Sequence, residues 1–210
     1  MSEYHKINTM FKRDMEGDRK IIFDNWVDPE VEYLKNNTWV FTEKVDGTNI
    51  RIYWDGKDVT FGGRTDSAQI PNGVINRLNE LFYSTPAKQR LKEVFPDGGV
   101  VFYGEGYGAK IQKGGDNYKP TQDFVLFDVK VGEYWLERHN VEDVAQKLQL
   151  EIVPIVGEGT LYDAIDLVKQ GLESTWGEFE AEGIVARPKV ELTTRRGSRI
   201  IAKIKARDFK

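Results

Sequence analysis

The chain has 210 residues, 40% hydrophobic and 12% aromatic, enough for a substantial buried core and outside the range of a disordered segment. It has no cysteine and only two histidines, His5 and His139, far apart in the chain. Disulfides, thiolate metal sites and cysteine catalysis are thereby excluded, and the expected metal is one held by carboxylates, Mg2+ or Mn2+ rather than zinc. The net charge of −4 is uneven: residues 187–210 hold nine Lys/Arg against Glu191 and Asp208, a +7 tail that leaves −11 elsewhere. Such a run is either a solvated face or a polyanion-binding surface.

The N-terminus, MSEYHKINTMFKRD, is charged and has no signal-peptide core, and no run of about 18 apolar residues exists to cross a membrane. The cytoplasm is the expected compartment, with no membrane partner and no obligate protein partner evident. Residues 38–43 (TWVFTE) read as a strand ending at Lys44. NIRIYW then alternates Ile50, Ile52 and Trp54 to one side, Asp55-Gly56 supplies a turn, and DVTFGG returns with Val59 and Phe61. That is a β-hairpin signature. Val74, Leu78, Leu81 and Phe82 have helical spacing over 73–83. VVFYGEGYG (100–108) and DFVLFDVKV (123–131) read as strands, the second apolar enough to be central. Asn140 and Thr160 are candidate N-caps for the helices VEDVAQKLQL and LYDAIDLVKQ, the latter closed by Gly171. GIVARP (183–188) and RIIAKIKA (199–206) are late strands, and the latter sets Ile200, Ala202, Ile204 and Ala206 against Arg199, Ile201, Lys203 and Lys205. With no repeat, low-complexity tract or linker, the pattern predicts one compact α+β domain with mainly antiparallel sheets.

Several charged residues occupy positions that carry chemistry. Lys203 and Lys205 are two apart on a strand and emerge on one face, where two ammonium groups repel unless an anion lies between them. Otherwise they are the guarding lysines of an exposed edge. Glu182-Gly183 precedes an apolar strand, Glu105 stands between Gly104 and Gly106, and Arg64 follows two glycines. Taken singly, each is an ordinary strand-end charge. No GxxxxGK[ST] phosphate loop or GxSxG elbow competes, and the glycines of FYGEGYGAK lack the βαβ unit of a dinucleotide fold.

Taken in order, KVDGTN, GGRT, FYGEG, FVLFD, EGIVARP and AKIK resemble six motifs of the covalent nucleotidyltransferases, spanning residues 44–205. This superfamily comprises the ATP-dependent polynucleotide ligases and mRNA capping enzymes. The chain is most similar to the phage-type nick-sealing RNA ligases. Asn49 gives the KxxGTN form of that branch, where DNA ligases and capping enzymes usually have arginine, and YHKINTMFKRD also resembles the start of that group.

The resemblance implies a nucleotidyltransferase fold, antiparallel sheets flanked by helices, with the ATP site between them. It implies that Lys44 attacks the α-phosphate of ATP and carries AMP, which passes to an RNA 5′-phosphate before a 3′-OH displaces it. A lysine of ordinary pKa, near 10.4, is a poor nucleophile at neutral pH, and Lys203, Lys205 and a divalent Mg2+ or Mn2+ would supply the cationic surroundings that activate it. On the family pattern Phe127 stacks on adenine, Glu43 contacts its edge, and Arg64 and Glu105 hold the ribose. Glu182 binds the metal, through water, and Asn49 serves the later steps. Asp128 and Arg187 match positions near the nucleotide and phosphates. Some relatives have histidine where this chain has Asp46, so roles tied to that histidine do not transfer. Because only five residues follow Lys205, residues 1–210 are read as a single nucleotidyltransferase domain without the C-terminal OB-type or helical domain of many relatives. The domain either stands alone or has its partner domain outside this sequence. The partner implied is RNA, as nicked duplex or single-stranded ends, in the host cytoplasm if the source is viral. Alternatives are a minimal ATP-dependent DNA ligase, a capping guanylyltransferase, and a catalytically idle nucleic-acid-binding module. The last should have lost Lys44 or a carboxylate, and none is lost.

Overall fold

The structure, a computed structural model describing residues 2–210, divides the chain into two units that interleave in sequence. A mid-sequence unit contains Asp46–Val153 and the described residues up to His5, and a flank unit contains Lys6–Val45 and Pro154–Lys210. KVDGTN straddles a boundary, with Lys44 and Val45 in the flank unit and the rest in the other.

The mid-sequence unit is built on an antiparallel sheet ordered Val59–Gly62, Thr48–Trp54, Val100–Gly108, Gln122–Val131, Tyr134–Trp135. The expected hairpin is its edge, with Trp54 opposite Val59 and Ile52 opposite Phe61. Ile50, Ile52 and Trp54 are buried with Phe102, Leu126 and Val129 in one core, which Val74, Leu78, Phe82, Leu91, Val141 and Leu148 also enter from the helices. Those helices are Asn72–Leu78, which widens into a π-helical turn at Asn79–Tyr83, then Thr85–Val94 and Arg138–Leu148. The strand 123–131 lies inside the sheet as expected, between Val100–Gly108 and Tyr134–Trp135, with side chains buried on both faces. One expectation is corrected. The helix Arg138–Leu148 starts behind Glu137, so Asn140 lies in its first turn and is not its cap. Arg138 holds that start, its guanidinium bonding the Val153 carbonyl (2.7 Å) and Glu142 (2.8 Å).

Asp123 ties helix to sheet in this unit, accepting from Arg77 (2.8 Å), Lys119 and the Phe124 N–H (2.7 Å). Burial pushes its carboxyl up, but the Lys119 and Arg77 bonds outweigh that, and its pKa falls below the ordinary carboxylate value. A depressed folded pKa contributes stability above the unfolded value of about 3.9 and loses it as pH falls through the lower folded value. Thermal unfolding across pH 2–7 should therefore show Tm dropping below about pH 4. Asp123→Asn should lower stability at neutral pH by about 1–3 kcal/mol and flatten that drop. An unchanged acid profile in the variant would count against this role.

The flank unit carries a sheet ordered Asn8–Thr9, Ala202–Lys205, Gly183–Pro188, Trp39–Glu43, Ile155–Gly159, antiparallel except for the first pair. The helix Leu161–Lys169 covers it with Leu161, Ala164, Ile165 and Val168, against Trp39, Phe41, Ile184 and Ile204. Thr160 is the N-cap as expected, and the structure adds a capping box with Asp163; Gly171 follows the helix at φ +88°. The late strand is shorter than expected: only Ala202–Lys205 pairs in the sheet, followed by a 3-10 turn, Ala206–Phe209. Its faces are as expected, with Ala202 and Ile204 buried and Lys203 and Lys205 half-buried. The buried Asp208 accepts the Lys205 N–H (3.0 Å) and pairs with Arg13, which pins the strand's end. Among the described residues no helix is long and apolar enough to cross a membrane.

Candidate active site

Three neighbouring strands of the flank unit assemble its charged groups. Gly183 lies opposite Lys205, Val185 opposite Lys203 and Thr42, and Ile184 opposite Glu43 and Ile204. Lys44 continues the register, donating its N–H to the Gly183 carbonyl at 2.9 Å. Residues opposite one another on paired strands share a face, so Lys44, Lys203 and Lys205 stand on the side away from the Ile184–Ile204 core. Glu182 turns onto that side. Its Oε2 accepts from Lys44 Nζ at 2.6 Å and its Oε1 from Lys205 Nζ. Glu182 is thus the anion between Lys44, 138 residues away in sequence, and Lys205, 23 residues away. These side chains are 14–21% exposed, sheltered enough for strong pairing yet open to a ligand. Gly183 has φ +152°, and a Cβ there would meet the Ile204 carbonyl and Lys205 Cα (2.7 Å), so only glycine lets Glu182 approach Lys205.

Glu43 behaves differently from its neighbour. It points to the core side, 1% exposed, and its carboxylate accepts from Ser174 Oγ (2.6 Å), Thr175 N–H (2.9 Å) and Thr175 Oγ1 (2.8 Å). Ser174 and Thr175 have no signal in the sequence, because they lie in an irregular segment 131 residues from Glu43.

In the mid-sequence unit, Asn49 is directly opposite Glu105, so both project from the face opposite the Ile50–Ile52 core. The Asn49 Oδ1 is enclosed and has no hydrogen-bond partner among the described residues. Gly47 packs so closely that a Cβ would strike the Gly106 carbonyl and Glu105 Cγ (2.7 Å). The Asp46 N–H is bonded by Tyr118 Oη (3.2 Å) and the Gly47 carbonyl by Gln112 Nε2 (3.0 Å). These two residues hold the turn after the lysine, and no motif marks them. Phe127 sits in a β-bulge, between Asp128, which faces Tyr103, and Leu126, which faces Gly104. The bulge lets consecutive residues serve one place. Tyr4 lies edge-on to the Phe127 ring (5.0 Å between centroids) and donates its hydroxyl to Asp128 (2.8 Å). Arg64 is exposed on the loop after Gly62–Gly63.

The +7 tail is less free than its composition implies. Arg187 and Arg199 are buried, Arg199 clamping Glu191 at 2.6 and 2.8 Å. Lys189 pairs with Glu158 (2.7 Å), and Lys210 with Glu180. Arg195, Arg196 and Arg207 are exposed and make no ion pair among the described residues.

A model of the RNA ligase family matches residues 37–205, a span holding Lys44, Glu182, Lys205 and each of the six motifs. The chain belongs to the RNA ligase family. Solved structures agree on the fold of this ligase-family chain. A Naegleria gruberi RNA ligase variant with ATP and Mn gives a TM-score of 0.67 at 18% identity, covering 86% of this chain and 53% of that one. A second variant with ATP and Mn gives 0.68 at 16% identity, covering 97% and 59%. The same ligase with PPi gives 0.67 at 18% identity, covering 98% and 62%. This chain therefore spans little more than half the length of those structures, and at such identities the likeness establishes the nucleotidyltransferase fold. Among curated proteins, none matches the chain.

Proposed function

We propose that the chain is an ATP-dependent RNA ligase that works through a lysyl-AMP intermediate. The observation that carries this reading is the Lys44–Glu182–Lys205 bridge, which puts the lysine of KVDGTN beside a second cation and a carboxylate. For the first step Lys44 leaves the ion pair and gives up an ammonium proton to solvent. The Nζ lone pair of the neutral amine forms a bond to the α-phosphorus of ATP, and the second proton that Nζ then sheds also passes to solvent. The bond to the pyrophosphate oxygen breaks, and pyrophosphate departs with the electron pair. Lys205 and Lys203 then face charge building on the phosphate oxygens, the larger contribution in phosphoryl transfer. An RNA 5′-phosphate oxygen next displaces Lys44 from the α-phosphorus. A 3′-OH finally attacks that 5′-phosphate and expels AMP.

Among the described residues no cluster of three or more potential metal ligands occurs. Glu182, a hard oxygen donor whose contacts are exchangeable lysine pairs, suits an ion held mainly by water and nucleotide phosphates, as Mg2+ and Mn2+ are. Such an ion, when bound, neutralises phosphate charge. Phe127 is assigned to stack on adenine, Arg64 and Glu105 to hold ribose, and Asn49 to use its enclosed amide oxygen in the RNA-dependent steps. Contact of Glu43 with the adenine edge would require exchange of a Ser174 or Thr175 bond, so its unliganded duty is to pin the 174–175 segment beside Lys44.

Incubation with α-labelled ATP and a divalent metal should leave acid-stable label on the protein, and a nicked duplex with an RNA 3′-OH strand should be sealed faster than its DNA counterpart. Label from GTP only would indicate a capping activity, and equal sealing would overturn the RNA assignment.

RNA phosphates are assigned to Arg195 and Arg196. They occupy the tip of a turn closed by Thr194 N–H to Ser198 carbonyl (2.8 Å) and Gly197 N–H to Thr194 carbonyl (2.9 Å). Arg195→Ala/Arg196→Ala should weaken binding to nicked RNA duplex and lower the slope of log affinity against log salt by about 1–2, leaving ATP labelling intact. An unchanged slope would remove the turn from the RNA surface.

A further inference from the structure

Arg51 has no part in the motifs, yet it is the most deeply placed cation of the mid-sequence unit. It lies between Ile50 and Ile52, so strand alternation turns its side chain away from the core they fill, toward the face that bears Asn49 and Glu105. Its exposure is 0%. A guanidinium does not shed its proton, so a buried one persists only where hydrogen bonds and counter-charge hold it. Two of its contacts reach one segment: Nε donates to the Gly63 carbonyl at 2.6 Å and Nη2 to Asp66 Oδ1 at 2.9 Å. Gly63 and Asp66 bracket Arg64. The loop is closed just beyond by the Ala68 N–H on the Thr65 carbonyl (3.1 Å). At Gly62, opposite Arg51, a Cβ would stand 3.3 Å from Nη2, so the glycine makes room for the fork. The Asp66 side chain is 81% exposed and buries nothing of its own; its reach back to Arg51 serves the loop.

We propose that Arg51 is a positioning residue for Arg64, anchoring residues 63–66 so that the exposed Arg64 guanidinium is presented ready to grip the nucleotide ribose. This rests on the ribose role proposed for Arg64. Arginine suits the task because its planar fork grips a carbonyl and a carboxylate in fixed directions, which a lysine cannot do. Preorganising the loop lowers the ordering cost at binding, so the effect belongs in KM for ATP rather than in the chemical step.

The test compares lysyl-AMP formation from ATP and 2′-deoxyATP in Arg51→Lys, Asp66→Asn and Arg64→Ala, alone and combined. Arg51→Lys should raise KM for ATP about 10-fold and Asp66→Asn about 3- to 5-fold, with kcat little changed and preference for ATP over 2′-deoxyATP reduced. In an Arg64→Ala background neither should have further effect. If Arg51→Lys fails to fold, Asp66→Asn, altered at an exposed position, carries the test. Effects that add fully in the Arg64→Ala background, or an unchanged KM in Asp66→Asn beside a normal Arg64→Ala defect, would overturn the anchor alone. A silent Arg64→Ala would remove the ribose reading and the anchor together.

Discussion

Lys44→Ala is expected to take no label from α-labelled ATP, a loss of at least about 10³-fold, while unfolding at nearly the wild-type temperature. The side chain is 21% exposed and its short contact is with Glu182, so truncation leaves the sheet and its core intact. The backbone bond to Gly183 is kept as well. Lys44→Arg should fail equally, since a guanidinium cannot offer a neutral nitrogen, even though the pairing with Glu182 would survive. That pair of variants separates nucleophile from counter-ion. Label retained in either one would place the covalent bond elsewhere and sink the mechanism. Sealing of RNA already adenylylated at its 5′ end bypasses the first step and should persist in Lys44→Ala far better than sealing with ATP.

Glu182→Gln is expected to reduce labelling by roughly 10²–10³-fold, the scale for losing a preorganised electrostatic group. Glutamine keeps the shape and one acceptor oxygen but removes the charge that Lys44 and Lys205 share at 2.6 Å and at closer range. The two ammonium groups would then repel across the site, and the proposed metal contact would go too. Glu182→Asp keeps the charge on a shorter arm and should recover part of the rate. ATP binding, followed separately by fluorescence or calorimetry, should change much less than labelling in both variants. A rate within about threefold of wild type in Glu182→Gln would reduce Glu182 to a strand-end charge.

Part of this site is legible in the order of the amino acids alone. KVDGTN, GGRT, FYGEG, FVLFD, EGIVARP and AKIK are local strings, and local strings report local geometry. The hairpin through Ile50, Ile52 and Trp54 and the shared face of Lys203 and Lys205 follow from the period of 2 that side-chain direction imposes on a strand, and the N-cap at Thr160 follows from its residue type. Asn140 is not a cap, despite its propensity, because the helix start is set by the bond from Arg138 to Val153, a contact no local rule contains. The basic tail departs from its composition for a related reason. Charge counts do not say which arginines find a carboxylate, and Arg199 finds Glu191.

By itself, then, the sequence determined the family-type motifs in their order, the residue kinds they carry and which neighbours share a strand face. Only the tertiary structure decided the partnerships: Glu182 between Lys44 and Lys205, Glu43 turned to Ser174 and Thr175, Arg51 beneath the Arg64 loop, and Phe127 beside Asp128 at a bulge. The reason is physical. Side-chain direction along a strand is fixed by its own backbone, whereas strand register and bulges are set by packing between separate segments, some more than 100 residues apart, as Trp39–Glu43 is from Gly183–Pro188.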